Sequence, residues 1–196
     1  MPRVKQRTPE LRDRVLQTAV ATLAEAGVTG LTARRVAQAA ETSVPAVYEL
    51  FGDKGGLVRA VYFEGFRRLR RHIDALPTTD DPRTDLIALM ANLRVFVREN
   101  PVLGEVMFAR PFVDFDPGEE DLAATRSVRE FIVGRVRRCV TAGQIAGNET
   151  DIAHVLLALA QGLARQETAG WLGSTRASID RRWHLAFRAT LDGLGP

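Results

Sequence analysis

Apolar residues recur at helical spacing along the whole 196-residue chain, and nothing in it argues for strands. The pattern predicts an all-α protein of about nine helices. A first helix over Pro9 to Ala26 carries Leu11, Val15, Ala19, Val20 and Leu23 on one face. Gly27 closes it, in the role of a left-handed residue just past a helix. Two short helices follow at about 33–40 and 44–50. Asp53 then caps a long fourth helix, 54–75, whose stripe is Val58, Tyr62, Phe66, Leu69 and Ile73. Pro77 to Pro82 is rich in turn residues and reads as a linker. Beyond it the spacing predicts helices at about 83–99, 101–109, 119–142, 151–171 and 178–193, with a loop from Arg110 to Gly118 and a break from Gly143 to Asn148.

Residues 151–171 are apolar on nearly every side: Ile152, Ala153, Val155, Leu156, Leu157, Leu159, Ala160, Leu163. A helix without a polar face must be covered on both sides. This end of the chain is therefore expected to pack on its own core and on a second copy, giving a homodimer through 151–171 and 178–193.

Charge sharpens the division at the linker. Residues 1–75 hold 13 Lys/Arg against 8 Asp/Glu, a net of +5, whereas 76–196 hold 14 against 16, a net of −2. The basic excess sits in the segment that contains the two short helices, where phosphate contacts need it. Cys139 is the only cysteine, which excludes a disulfide or a cysteine-based zinc site within one chain and suits a reducing cytoplasm. The polar, basic N-terminus shows no signal peptide, and the longest apolar run, Val155 to Ala164, is too short to span a bilayer. A cytoplasmic protein without membrane contact is expected.

The two short helices and the turn between them have the format of a helix-turn-helix, whose second helix enters a DNA major groove. Thr32 is placed to cap the first, and Leu31 with Val36 matches a hydrophobic staple. Ser43 is placed to cap the second, with Pro45 at its second position, where the missing N–H breaks no intrahelical bond. The outward positions are then Arg34, Arg35, Thr42, Ser43, Val44, Ala46, Tyr48 and Glu49. Hydroxyls serve phosphates or base edges, and Val or Ala can touch a thymine methyl. Lys54, with Gly55 and Gly56 behind it at the positive end of the fourth helix, suits an anion. The alternative is a pair of ordinary packed helices with Tyr48 buried and Lys54 solvated. Two further features also admit two readings. Arg67, Arg68, Arg70, Arg71 and His72 either complement a helix dipole or contact DNA, and the arm Arg3, Lys5, Arg7 either follows phosphates or is a free basic tail.

The stretch from about Arg14 to Tyr62 resembles the N-terminal domain of TetR-family transcriptional regulators, whose pattern is T-x-x-x-[IV]-A-x-x-A-G-V-S-x-[GP]-x-[LV]-Y-x-[HY]-F-x-x-K-x-x-L. Thr32, Val36, Ala37, Ala40, Ser43, Pro45, Val47, Tyr48, Phe51, Lys54 and Leu57 fall in register, eleven matches over 26 residues. Three positions depart from it. Glu41 stands where the family has its turn glycine, at a cost of about 1 kcal/mol if that residue is left-handed. Thr42 replaces an apolar residue, and Leu50 replaces His or Tyr, removing one polar phosphate contact. The resemblance implies DNA contacts at Thr32, Arg34, Arg35, Thr42, Ser43, Val44, Pro45, Ala46, Tyr48 and Lys54. It also implies a DNA-binding domain over 1–53, a connecting fourth helix, and a ligand-binding and dimerisation domain over 76–196.

From Phe96 to Gly173 the chain resembles the WHG variety of the family's C-terminal domain, through Glu99-Asn100-Pro101, Met107-Phe108, Gln161-Gly162-Leu163, Glu167, Gly170 and Leu172; the Trp of that name is absent here. An apolar inducer pocket is implied, with candidates Phe66, Leu89, Leu93, Phe96, Met107, Phe112, Phe131 and Leu159 and polar anchors Asn92, Gln161 and Arg165. Each also reads as plain core. His72, His154 and His184 lack metal spacing, so no metal or cofactor is expected. A helical enzyme finds no support, since no Ser/His/Asp, Cys/His or glycine-rich phosphate arrangement is present. The expected activity is a repressor reading a near-palindromic operator in double-stranded DNA and released by a small apolar or amphipathic inducer. A regulator without an inducer, or an activator, fits the same residues.

Overall fold

A computed structural model describes residues 8–108 and 118–195. Among the described residues are nine helices and no strand: α1 (Pro9–Gly30), α2 (Ala33–Ala39), α3 (Val44–Phe51), α4 (Lys54–Asp74), α5 (Pro82–Glu99), α6 (Pro101–Phe108), α7 (Glu119–Thr141), α8 (Glu149–Thr168) and α9 (Arg176–Gly193). The predicted elements appear within a few residues of their expected ends. The arm Arg3, Lys5 and Arg7, Ala109, the expected loop before Gly118, and Phe112 within it lie outside the described residues.

Packing divides the described chain into two compact units, residues 8–67 with 100–108 and 118–124, and residues 68–99 with 125–195. In the first unit, α1 packs on α2 and α6, and α2 packs on α3. Its core is the predicted α1 stripe, Leu11, Val15, Ala19, Val20 and Leu23, closed by Leu31, Val36, Val47, Phe51 and Leu57. Thr8 caps α1 by accepting from the Leu11 N–H at 3.3 Å. Gly27 interrupts its end with φ 67° and ψ −175°, a region open to glycine and almost nothing else. Gly65 lets α4 and α6 approach closely, because a Cβ there would lie 2.6 Å from Met107 Sδ. The buried Glu64 carboxylate is paired with Arg67 Nε at 2.9 Å and also accepts from Gln17 Nε2 at 3.4 Å.

In the second unit, α5 packs on α8, and α8 on α9. Two polar nodes fix it. Around the buried Asp85, the carboxylate accepts from Thr79 N (3.0 Å), Thr79 Oγ1 (2.8 Å) and Arg138, and is ion-paired with Arg135 at 3.2 Å. Arg135 also donates to the carbonyls of Leu76 and Pro77. The linker-like stretch after α4 is thereby tied to α7. At the second node, Arg94 clamps Glu167 through Nε (2.7 Å) and Nη2 (2.9 Å) and donates through Nη1 to Asp180 (2.8 Å). Trp183 Nε1 donates to the same Glu167 at 2.8 Å, so one carboxylate joins α5, α8 and α9.

Candidate nucleic-acid interface

The helix-turn-helix is built by local chemistry. Thr32 Oγ1 accepts from Arg35 N at 3.2 Å and starts α2; Ser43 Oγ accepts from Ala46 N at 3.3 Å and starts α3. Pro45 occupies the first turn of α3. Leu31 and Val36, the expected staple pair, are both fully buried.

Between the helices, Glu41 N donates to Gln38 O and Thr42 N to Ala37 O, the paired bonds of a Schellman motif. That motif puts its C′ residue in the left-handed region, and Glu41 has φ 52°. It is the one non-glycine residue with positive φ among those described. The position where the family has its turn glycine is thus left-handed in this chain, with glutamate in it.

Thr32, Arg34, Arg35, Ser43, Pro45, Tyr48 and Lys54 are exposed on this motif, and Val44 and Ala46 are half-buried. Tyr48 is 43% exposed, so the alternative of a buried tyrosine does not hold. Thr42 differs from its neighbours: its Oγ1 is enclosed and has no hydrogen-bond partner. Cations and anions balance over the face, with Arg34, Arg35 and Lys54 against Glu41, Glu49 and Asp53. Asp53 also takes part of the expected anion site, because its Oδ1 accepts from Gly56 N at 2.7 Å and so caps α4. Gly56 is required there: a Cβ would fall 1.8 Å from the Phe51 carbonyl oxygen, which is backbone and cannot yield.

The basic end of α4 is partly used inside the protein. Arg67 pairs with Glu64 at 2.9 Å. Arg70 pairs with Asp74 at 2.6 Å, donates to Ser127 O and Oγ, and lies 4.8 Å over the Phe131 ring.

The residues expected to line an inducer pocket are distributed across both units. Phe66 and Met107 belong to the first, and Leu89, Asn92, Leu93, Phe96, Phe131, Leu159, Gln161 and Arg165 to the second. Leu89, Leu93, Phe96 and Met107 are buried as core, Asn92 Nδ2 donates to Ala88 O of its own helix, and Arg165 is exposed. A groove of about 740 Å³ does occur in the second unit, between α5 and α9, but none of the expected pocket residues lines it. Sequence reasoning missed it, although the run of arginines from Arg176 to Arg188 was visible. Among the described residues no group of His, Cys, Asp or Glu is arranged to hold a metal ion, and no helix is long and apolar enough to cross a membrane.

Comparison with known proteins identifies this architecture. Residues 15–61 match the family model described as bacterial regulatory proteins, tetR family, and residues 86–190, more than half of the chain, match the tetracyclin repressor-like C-terminal domain. That second description is general and names no narrower variety. No curated protein is significantly similar to the chain. Among solved structures, a protein of unknown function from Rhodococcus sp. RHA1 aligns over 100% of both chains at 25% identity with a TM-score of 0.80. A tetR-family bacterial regulatory protein from Rhodococcus RHA1 aligns over 96% of this chain and 98% of its own at 21% identity, TM-score 0.69. A point variant of TetR from Acinetobacter baumannii AYE, solved in complex with minocycline, covers 91% of this chain and 93% of its own at 17% identity, TM-score 0.64, and so shares the fold. With a helix-turn-helix in one unit, a helical bundle in the other and both halves matched in order, the chain belongs to the TetR family of transcription regulators.

Proposed function

We propose that this regulator is a homodimeric, cytoplasmic repressor without catalytic activity. Its two α3 helices read successive major grooves of a near-palindromic operator. The observation that carries the reading is the capped helix-turn-helix with Tyr48 and Lys54 exposed beside Ser43 and Pro45. Tyr48, Lys54, Arg34 and Arg35 hold phosphates and set register, while Ser43, Val44 and Ala46 face base edges. In this reading residues 1–53 form the DNA-binding domain, α4 connects, and 76–196 dimerise and bind ligand.

Dimerisation is supported by apolar surface that one chain leaves uncovered on its last helices. Val155 on α8 is 53% exposed, Leu185 on α9 67%, and Trp171 between them 79%. A small apolar or amphipathic ligand in the C-terminal domain releases DNA if it favours one spacing of the two reading heads over the other. The bound minocycline of the Acinetobacter structure supports a ligand-responsive role by analogy.

The test is a footprint on the DNA flanking the gene, repeated with metabolite fractions. A protected, near-palindromic site whose protection disappears with one fraction is expected. Protection of no site in its own flanking DNA overturns the operator reading, and a footprint that every fraction leaves intact overturns the inducer.

A further inference from the structure

α5 and α9 both pack on α8, and a groove of about 740 Å³ runs between them, the size of a small-molecule site. Its floor is apolar, made by Ile87, Ala91, Val95, Trp183 and Phe187. The Arg94–Glu167–Trp183 node described above holds that floor, with the Arg94 guanidinium 5.1 Å over the Trp183 ring. Six arginines, Ser178, His184 and the exposed Leu185 complete the lining, and no carboxylate is among the lining residues.

Two carboxylates outside the lining pair with these arginines. Glu167 and Asp180 satisfy Arg94; Asp180 also meets Arg176 at 3.3 Å, and Glu167 lies 3.9 Å from Arg98. Six guanidinium groups against two carboxylates leave a local surplus of four positive charges. The same half of the chain is net −2, so this surplus is not general basicity. Arg182 is held by the Leu172 carbonyl at 2.6 Å. Arg181 and Arg188 are exposed and have no hydrogen-bond or ion-pair partner among the described residues.

We infer that the α5–α9 groove binds an amphipathic organic anion, its carboxylate or phosphate head held by Arg181 and Arg188 and its apolar body laid on Trp183, Val95 and Ile87. Charge complementarity selects this occupant. A neutral apolar body leaves the arginines unused, and a nucleic acid strand, charged along its whole length, leaves the apolar floor unused. This deepens the reading of a ligand-binding C-terminal domain. Its test contains no DNA, so failure here leaves the DNA-binding reading standing, and the converse holds.

The chain has two tryptophans, so Trp171→Phe makes Trp183 the sole reporter within the full-length protein. Emission is followed while laurate, dodecyl phosphate, dodecanol or dodecyltrimethylammonium is added below the micelle limit. Saturable binding of laurate or dodecyl phosphate is expected, at least tenfold tighter than dodecanol, weakening with salt, and absent for the cation. Arg181→Glu with Arg188→Glu should weaken it at least tenfold while the helical circular dichroism and melting stay unchanged. If that double variant does not fold, Arg188→Gln alone, with an expected severalfold loss, gives the same comparison.

The inference is overturned by equal affinity for laurate and dodecanol, by no saturable response, or by arginine variants that bind as the parent does. A response to anionic vesicles without one to monomeric laurate also overturns it. So does a change from dimer to monomer in the arginine variants without laurate binding in the parent, which would make the groove a subunit contact.

Discussion

Glu41 is the residue at which local backbone preference and sequence disagree most openly. The Schellman bonds from Glu41 and Thr42 fix the turn, and the turn demands φ 52° from a residue with a Cβ. Glu41→Gly removes that penalty and should stabilise the protein by about 1 kcal/mol, raising Tm by roughly 2–4 °C in a thermal melt. A fall in Tm would mean the glutamate side chain contributes more than the backbone costs. Gly56 lies at the opposite extreme. Gly56→Ala drives a methyl into the Phe51 carbonyl, so the α3–α4 junction must move and DNA binding should be lost in a mobility-shift assay while α5–α9 keep their helicity. Thr42 offers a third comparison: with its hydroxyl enclosed and unpartnered, Thr42→Val should leave stability equal or slightly higher. The glycine departure at position 41 was legible in the sequence because the motif aligns there. The steric need for Gly56 was not, since it depends on a carbonyl placed by tertiary folding.

At the scale of elements, the sequence located the helices well because each carries a stripe at helical spacing and a recognisable start. Thr32, Ser43 and Asp53 all cap as their positions suggest. What spacing does not reveal is which polar side chains become internal joints. Asp85 reads as an ordinary residue in the first turn of a helix, yet it is buried and anchors the stretch after α4 to α7. Burial pushes its carboxyl up, but hydrogen bonds from Arg138 and Thr79 and the Arg138 charge outweigh that and hold it at about 2, below the usual 3.8. A depressed folded value stabilises above the unfolded one, so about 2 kcal/mol is present above roughly pH 4 and lost as pH falls toward 2. Asp85→Asn should lower stability at neutral pH and shrink the loss between pH 4 and 2 in denaturant titrations. An acid limb equal to the parent's would contradict this role for Asp85.

For the whole molecule, the helix-turn-helix half was more legible than the C-terminal half, for a physical reason. A reading head must present a fixed set of caps, small packing residues and outward groups at fixed spacing, and eleven of them stand in register. A groove needs only shape and charge, which many sequences supply, and the arginine-lined one joins residues of α5 and α9 far apart in the chain. The same uncovered apolar surface argues for association. Light scattering should give twice the 21.6 kDa of one chain, and Val155→Arg, which sets a charge on the exposed α8 face, should shift the species toward monomer and weaken operator binding at least tenfold.

The central claim is that α3 and its flanking cations read DNA. Fluorescence anisotropy of the full chain on its footprinted duplex, against a shuffled duplex of the same composition and over a range of salt, tests it most directly. The account predicts at least a hundredfold preference for the footprinted site. Tyr48→Ala and Lys54→Ala should weaken both duplexes alike, the lysine variant also reducing the salt slope by about one. Equal affinity for the two duplexes, or binding unchanged by either substitution, would contradict it.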